Sequence, residues 1–80
     1  MNIYWCHEKY EYHGLYVKAL TRGRAKVLYS QYVECDLIDV RTSISVRGIH
    51  EYFESVIDDE KELERYGLSY DENEDGWWQQ

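Results

Sequence analysis

The stretch "LIDVRTSISVR", residues 37–47, constrains the fold of this chain more than any other. Ile38, Val40, Thr42, Ile44 and Val46 alternate with Asp39, Arg41, Ser43, Ser45 and Arg47, and Gly48 follows. A period of two over so many residues belongs to a half-buried β-strand. It predicts a strand over about 36–47, one side apolar and the other polar. A single strand cannot satisfy its own backbone, so partners and a cover for the apolar side must be found in the rest of the chain.

Two partners precede it. Residues 2–7, "NIYWCH", alternate Ile3 and Trp5 against Tyr4 and Cys6; residues 15–20, "LYVKAL", place Leu15, Val17 and Ala19 against Tyr16 and Lys18. Both predict strands, joined by "EKYEYHG" with Gly14 at the turn. Thr21 is suited to cap a helix over about 22–33, in which Ala25, Leu28 and Tyr32 recur at helical spacing beside Tyr29. A helix returning along the sheet makes the third strand parallel to the second. A right-handed crossover then places it on the far side of the first strand, in the order 2-1-3.

Residues 49–66 fit a second helix. Ile49, Tyr52, Phe53, Val56 and Leu63 gather on one side, and Gly67 is placed to stop it. Glu60 lies on the apolar side of that projection, which allows a break near Asp58; an edge strand over 50–57 is the alternative. The expected fold class is α+β. A small, mostly antiparallel sheet (strands about 2–7, 15–20 and 36–47, with a C-terminal hairpin over 68–80) carries the helices 22–33 and 49–66 on one face. The other face would show Tyr, Lys, Arg and Ser side chains. With 80 residues the chain is one domain, 1–80.

The last ten residues, "DENEDGWWQQ", open like a calcium loop, with Asp71, Asn73, Asp75 and Gly76 at positions 1, 3, 5 and 6. The bidentate glutamate that such a loop needs at position 12 would fall beyond the last residue given. Asp75-Gly76 is instead a strong two-residue hairpin signal, pairing "SYDEN" with "WWQQ". No metal is expected here. Cys6, His7, His13 and Cys35 lack the paired spacings of structural zinc, and the two cysteines are expected as reduced thiols. No nucleophile elbow, phosphate loop or metalloprotease motif occurs, so no catalytic residue is assigned. No long apolar run or signal peptide is visible, and a cytoplasmic location is expected.

The charge is uneven. Residues 1–48 hold seven Lys/Arg and five Asp/Glu, whereas residues 49–80 hold two and eleven. The acidic half disfavours direct binding of nucleic acid and favours a basic partner. On the expected second helix Glu51, Glu54, Asp58 and Glu62 form a like-charged row facing away from the core. Glu72, Glu74 and Asp75 extend the same sign beside Trp77 and Trp78, as carboxylates around aromatic anchors. These residues are the expected partner-binding surface: the seven carboxylates for charge, the two tryptophans for contact area.

The pieces "YVKALTRGRAKVLYSQY", "IDVRTSISV" and "YDENEDGWWQQ" together resemble small acidic proteins of bacteriophages and mobile elements, including anti-CRISPR inhibitors. The shared pattern is a strand pair, a short helix, a long strand and an aromatic hairpin. The resemblance implies a non-catalytic inhibitor, without cofactor, that occupies a nucleic-acid-binding site of a host effector, a protein or ribonucleoprotein such as a CRISPR complex. It assigns no residue to a role. A structural or assembly protein that oligomerises through exposed aromatics, with a homodimer as one form, is the alternative, and a calcium-responsive module is a third.

Overall fold

A computed structural model describes residues 1–71 and 76–79, with residues 69–71 and 76–79 described by their backbone. Two strands open the chain, β1 (Asn2–Glu8) and β2 (Gly14–Ala19), followed by α1 (Arg22–Val33). A 3-10 turn (Leu37–Asp39) leads into β3 (Val40–Val46), then come β4 (Ser55–Ile57), α2 (Glu60–Arg65), β5 (Leu68–Asp71) and β6 (Gly76–Gln79). The first four strands form an antiparallel sheet in the order β3-β1-β2-β4, and β5 and β6 form a separate hairpin. The fold is α+β, and the order 2-1-3 of the first three strands is the one the crossover rule dictates.

Thr21 caps α1 as its sequence position suggests, its hydroxyl accepting from the Arg24 N–H at 3.1 Å. Gly14 sits where β2 leaves the turn opposite His7, so close to β1 that a Cβ would lie 2.0 Å from the Cys6 carbonyl oxygen. No other residue fits there without parting the strands.

Four expectations are corrected. Residues 49–66 are not one helix but follow the alternative, with an edge strand and a break near Asp58: residues 47–54 are irregular, Ser55–Ile57 is the edge strand, shorter than the 50–57 expected, and only Glu60–Arg65 is helical. The reason lies in β2, whose outer edge would otherwise stay unpaired. Tyr16, Val17 and Lys18 pair there with Ile57, Val56 and Ser55, and the β-branched Val56 and Ile57 suit that position. Asp59 then starts a fresh helix, accepting from the Lys61 N–H at 2.9 Å.

The helices are also not on one face. Tyr4, Cys6, Val17, Ala19 and Val40 pack with Ala25 and Tyr29 of α1. Ile3, Tyr16 and Ile57, on the opposite face, pack with Leu63 of α2 and Leu68 of β5. Strand β3 serves both layers because its register slips where Ile3 pairs with Val46 and Tyr4 with Ile44. The extra residue, Ser45, turns Val46 to the second face while Ile44 stays on the first. Ile38 and Asp39, expected in this strand, lie in the 3-10 turn.

Finally, the hairpin forms, but not on a two-residue Asp75-Gly76 turn. Gly76 pairs with Asp71 and Trp77 with Tyr70, so Gly76 belongs to β6 rather than to a turn, and Asp75 lies outside the described residues.

Candidate partner-binding surface

With the long helix gone, the carboxylate row is dispersed. Glu51 accepts a hydrogen bond from the Tyr66 hydroxyl. Glu54 accepts from the Leu20 N–H at 2.9 Å and from Arg24 Nε at 3.1 Å. Asp58 accepts from the Tyr32 hydroxyl at 2.9 Å. Glu62 reaches Lys18 Nζ at 2.6 Å, against the sheet. The Tyr66 bond holds the Glu51 carboxyl below its ordinary range, and the Leu20 N–H, aided by Arg24, does the same for Glu54. Each of the four is a fastening between segments, and they divide into two pairs: Glu54 and Asp58 bond to Arg24 and Tyr32 of α1, whereas Glu51 and Glu62 both act on Tyr66. Glu72, Glu74 and Asp75 lie outside the described residues. Trp77 and Trp78 are described only as backbone in β6, so their side chains are not placed.

The structure assembles a different acidic surface, in the half of the chain whose charge sums to a small positive value. At one end of the sheet the β1–β2 connection meets the 3-10 turn. The Lys9 N–H donates to the Asp39 carbonyl at 2.7 Å, and Lys9 Nζ lies 3.2 Å from the Asp39 carboxylate. Glu8, Asp39 and Asp36 all surround Cys35, raising its thiol pKa in addition to the larger effect of desolvation. Burial pushes the Tyr29 hydroxyl up to about 12, with Glu8 and Glu11 among the charges that add to it. These carboxylates act on common neighbours without converging on an ion. Among the described residues no group of three or more His, Cys, Asp or Glu side chains is placed to hold a metal.

The same two segments carry large exposed apolar side chains. Tyr10 is 92% exposed and Ile38 82%, with Tyr12 and Leu37 also in solvent. Tyr10 holds φ +71°, a left-handed conformation that costs a non-glycine residue about 1–2 kcal/mol. The ring is not packed into the core; Lys9 Nζ lies 5.6 Å from its centroid, and the turn that holds it is closed by the Glu11 N–H donating to the Glu8 carbonyl at 3.0 Å. Strain kept at an exposed aromatic is a pointer to use. The sequence did hold a signal here. "YEY" in a connection places two tyrosines where neither strand can bury them, and "DLID" places Leu and Ile between carboxylates.

At the opposite end of the sheet Leu20, Tyr52 and Phe53 are exposed, and Arg24 there is paired with Glu54. Comparison with protein-family models, with curated proteins and with solved structures finds no match to this chain. The fold and its surfaces alone therefore define its class, a small two-layered α+β domain with apolar residues displayed at the ends of its sheet. Among the described residues no helix is long and apolar enough to cross a membrane.

Proposed function

We propose that this protein acts by binding rather than catalysis, and that it covers a basic, nucleic-acid-binding site on another protein or ribonucleoprotein. The reading is of an inhibitor of the kind that phages and mobile elements carry, working in the host cytoplasm. One observation carries it. Tyr10, Tyr12, Leu37 and Ile38 stand exposed on segments that also bring Glu8, Glu11, Asp36 and Asp39 together. Apolar anchors within a carboxylate surround match a phosphate-binding surface twice over. The charges imitate phosphate, and the aromatic rings supply contact area at low entropic cost. The net charge of −7 adds long-range attraction to any cationic partner and repels nucleic acid itself.

The test is capture of host proteins on the immobilised chain, followed by elution with salt and, separately, with single-stranded and double-stranded nucleic acid. Proteins that bind nucleic acid should be retained, released by either competitor, and lost from a column bearing Tyr10→Gly with Ile38→Glu. Retention indifferent to salt and to nucleic acid would remove the reading.

A further inference from the structure

Strand β3 is an edge of the four-stranded sheet, with β1 on its inner side and no strand paired to its outer side among the described residues. In an antiparallel ladder successive residues turn their backbone N–H and C=O alternately toward the neighbour and away from it. Just before β3 the Asp39 carbonyl accepts from the Lys9 N–H at 2.7 Å, so Asp39 faces β1. In the register that follows, Arg41 opposite His7 and Ser43 opposite Trp5 face β1 too, and Val40, Thr42 and Ile44 turn their backbone groups outward. Such a row of outward polar groups is a template for one more strand.

Two arginines stand on that row. Arg22, the first residue of α1, donates from Nη1 to the Thr42 carbonyl at 2.9 Å and to the Thr42 hydroxyl at 3.1 Å. Arg41 donates from Nη1 to the Val40 carbonyl at 3.2 Å and to the Ile38 carbonyl at 3.0 Å. The outward carbonyls of residues 40 and 42 therefore each carry a guanidinium. Neither arginine forms an ion pair among the described residues, so both are committed to backbone. Beyond Ile44 the register slips, and a bulge of that kind itself ends pairing. The opposite edge, β4, is only three residues long and offers few groups to a partner.

The capped positions are the ones that self-pairing needs. A second β3 laid antiparallel on the first, about a two-fold axis at Thr42, sets Thr42 against Thr42 and Val40 against Ile44. In that register the Thr42 and Ile44 N–H groups donate to the Thr42 and Val40 carbonyls of the other copy. Those are the two acceptors that the arginines hold. The guanidinium planes also occupy the lane that an incoming strand takes, about 4.8 Å from β3.

We infer that Arg22 and Arg41 guard the sheet edge: by holding the outward carbonyls of β3 they keep a second copy of the chain from pairing along that strand. The inference does not rest on the proposed basic partner, and its failure would leave capture of nucleic-acid-binding proteins untouched.

Arg22→Ala with Arg41→Ala tests it, by sedimentation across concentration and by amide hydrogen exchange, with circular dichroism to verify the fold. In wild type, exchange at the Thr42 and Ile44 amides should not change with concentration. In the double variant the average mass should rise with concentration, roughly doubling if pairing stops at the two-fold dimer, and both amides should slow in step. Arg22→Ala alone, which frees only the central acceptor, should show the same change at higher concentration. Lys26→Ala with Arg47→Ala removes as much positive charge, leaves both caps in place and should behave as wild type. A double variant that stays monomeric, or that associates without slowing Thr42 and Ile44, would overturn the inference. So would slowing of those amides with concentration in wild type or in the charge-matched control.

Discussion

Lys18 Nζ lies 2.6 Å from Glu62 Oε2 across the second face of the sheet, and Lys18 is only 8% exposed. A carboxylate expected in a solvent row therefore neutralises a nearly buried ammonium. Removing one partner of a buried pair costs about 3–5 kcal/mol because the other is stranded. Glu62 remains partly solvated and has Arg65 at 3.9 Å as well, so Glu62→Leu should cost less, about 1–3 kcal/mol. Adding Lys18→Met should recover most of that loss. Urea denaturation of both variants decides it; a double variant as unstable as the single would refute the pairing.

The second layer should behave as core. Leu63→Ala and Leu68→Ala each remove a side chain no more than 2% exposed and should cost about 2–5 kcal/mol. If helices covered only one face, as the sequence suggested, at least one of these substitutions would be close to neutral in thermal melts.

Glu34 closes α1 at φ +59°, a conformation that glycine adopts without penalty. Glu34→Gly should raise stability by roughly 1 kcal/mol, since it also removes a carboxylate from the negative end of the helix dipole. A lower denaturation midpoint would show that the side chain makes a contact outweighing its strain.

Acid should loosen the irregular segment before β4. The pKa values of Glu51 and Glu54 are depressed in the folded chain by Tyr66 and by Leu20 respectively. A depressed folded value means that the stabilisation is complete above the ordinary carboxylate pKa. It is lost as pH falls through the lower folded value. The melting temperature should therefore drop below about pH 4.3. The drop should be shallower in Glu54→Gln, and an identical slope in the variant would argue against this linkage.

Strand alternation and crossover handedness made the central three strands legible, because Val40–Val46 and its partners follow a period that only a sheet supports. The 49–66 segment misled because Ile49, Tyr52, Phe53, Val56 and Leu63 happen to repeat at helical spacing. In the structure Tyr52 and Phe53 face solvent, Val56 belongs to the first layer and Leu63 to the second. A short-range pattern cannot register that β2 needs an edge partner. The acidic pole was hidden for a related reason. Glu8 and Glu11 are distant in sequence from Asp36 and Asp39, and only the pairing of β1 with β3 unites them. Net charge summed over halves of the chain averaged them away against Lys and Arg placed elsewhere.

The choice between the two acidic surfaces can be read directly. ¹⁵N-labelled protein is titrated with a synthetic amphipathic peptide alternating arginine and leucine, and amide shifts are followed by NMR. If the sheet end is the contact surface, shifts concentrate in residues 8–12 and 34–41 and are lost in Tyr10→Gly with Ile38→Glu. They also weaken at high salt, where exposed charges are screened within about 10 Å or less. Shifts centred instead on Glu51, Glu54, Asp58, Glu62 and residues 72–75, or no shifts at all, would contradict the sheet end as the binding surface.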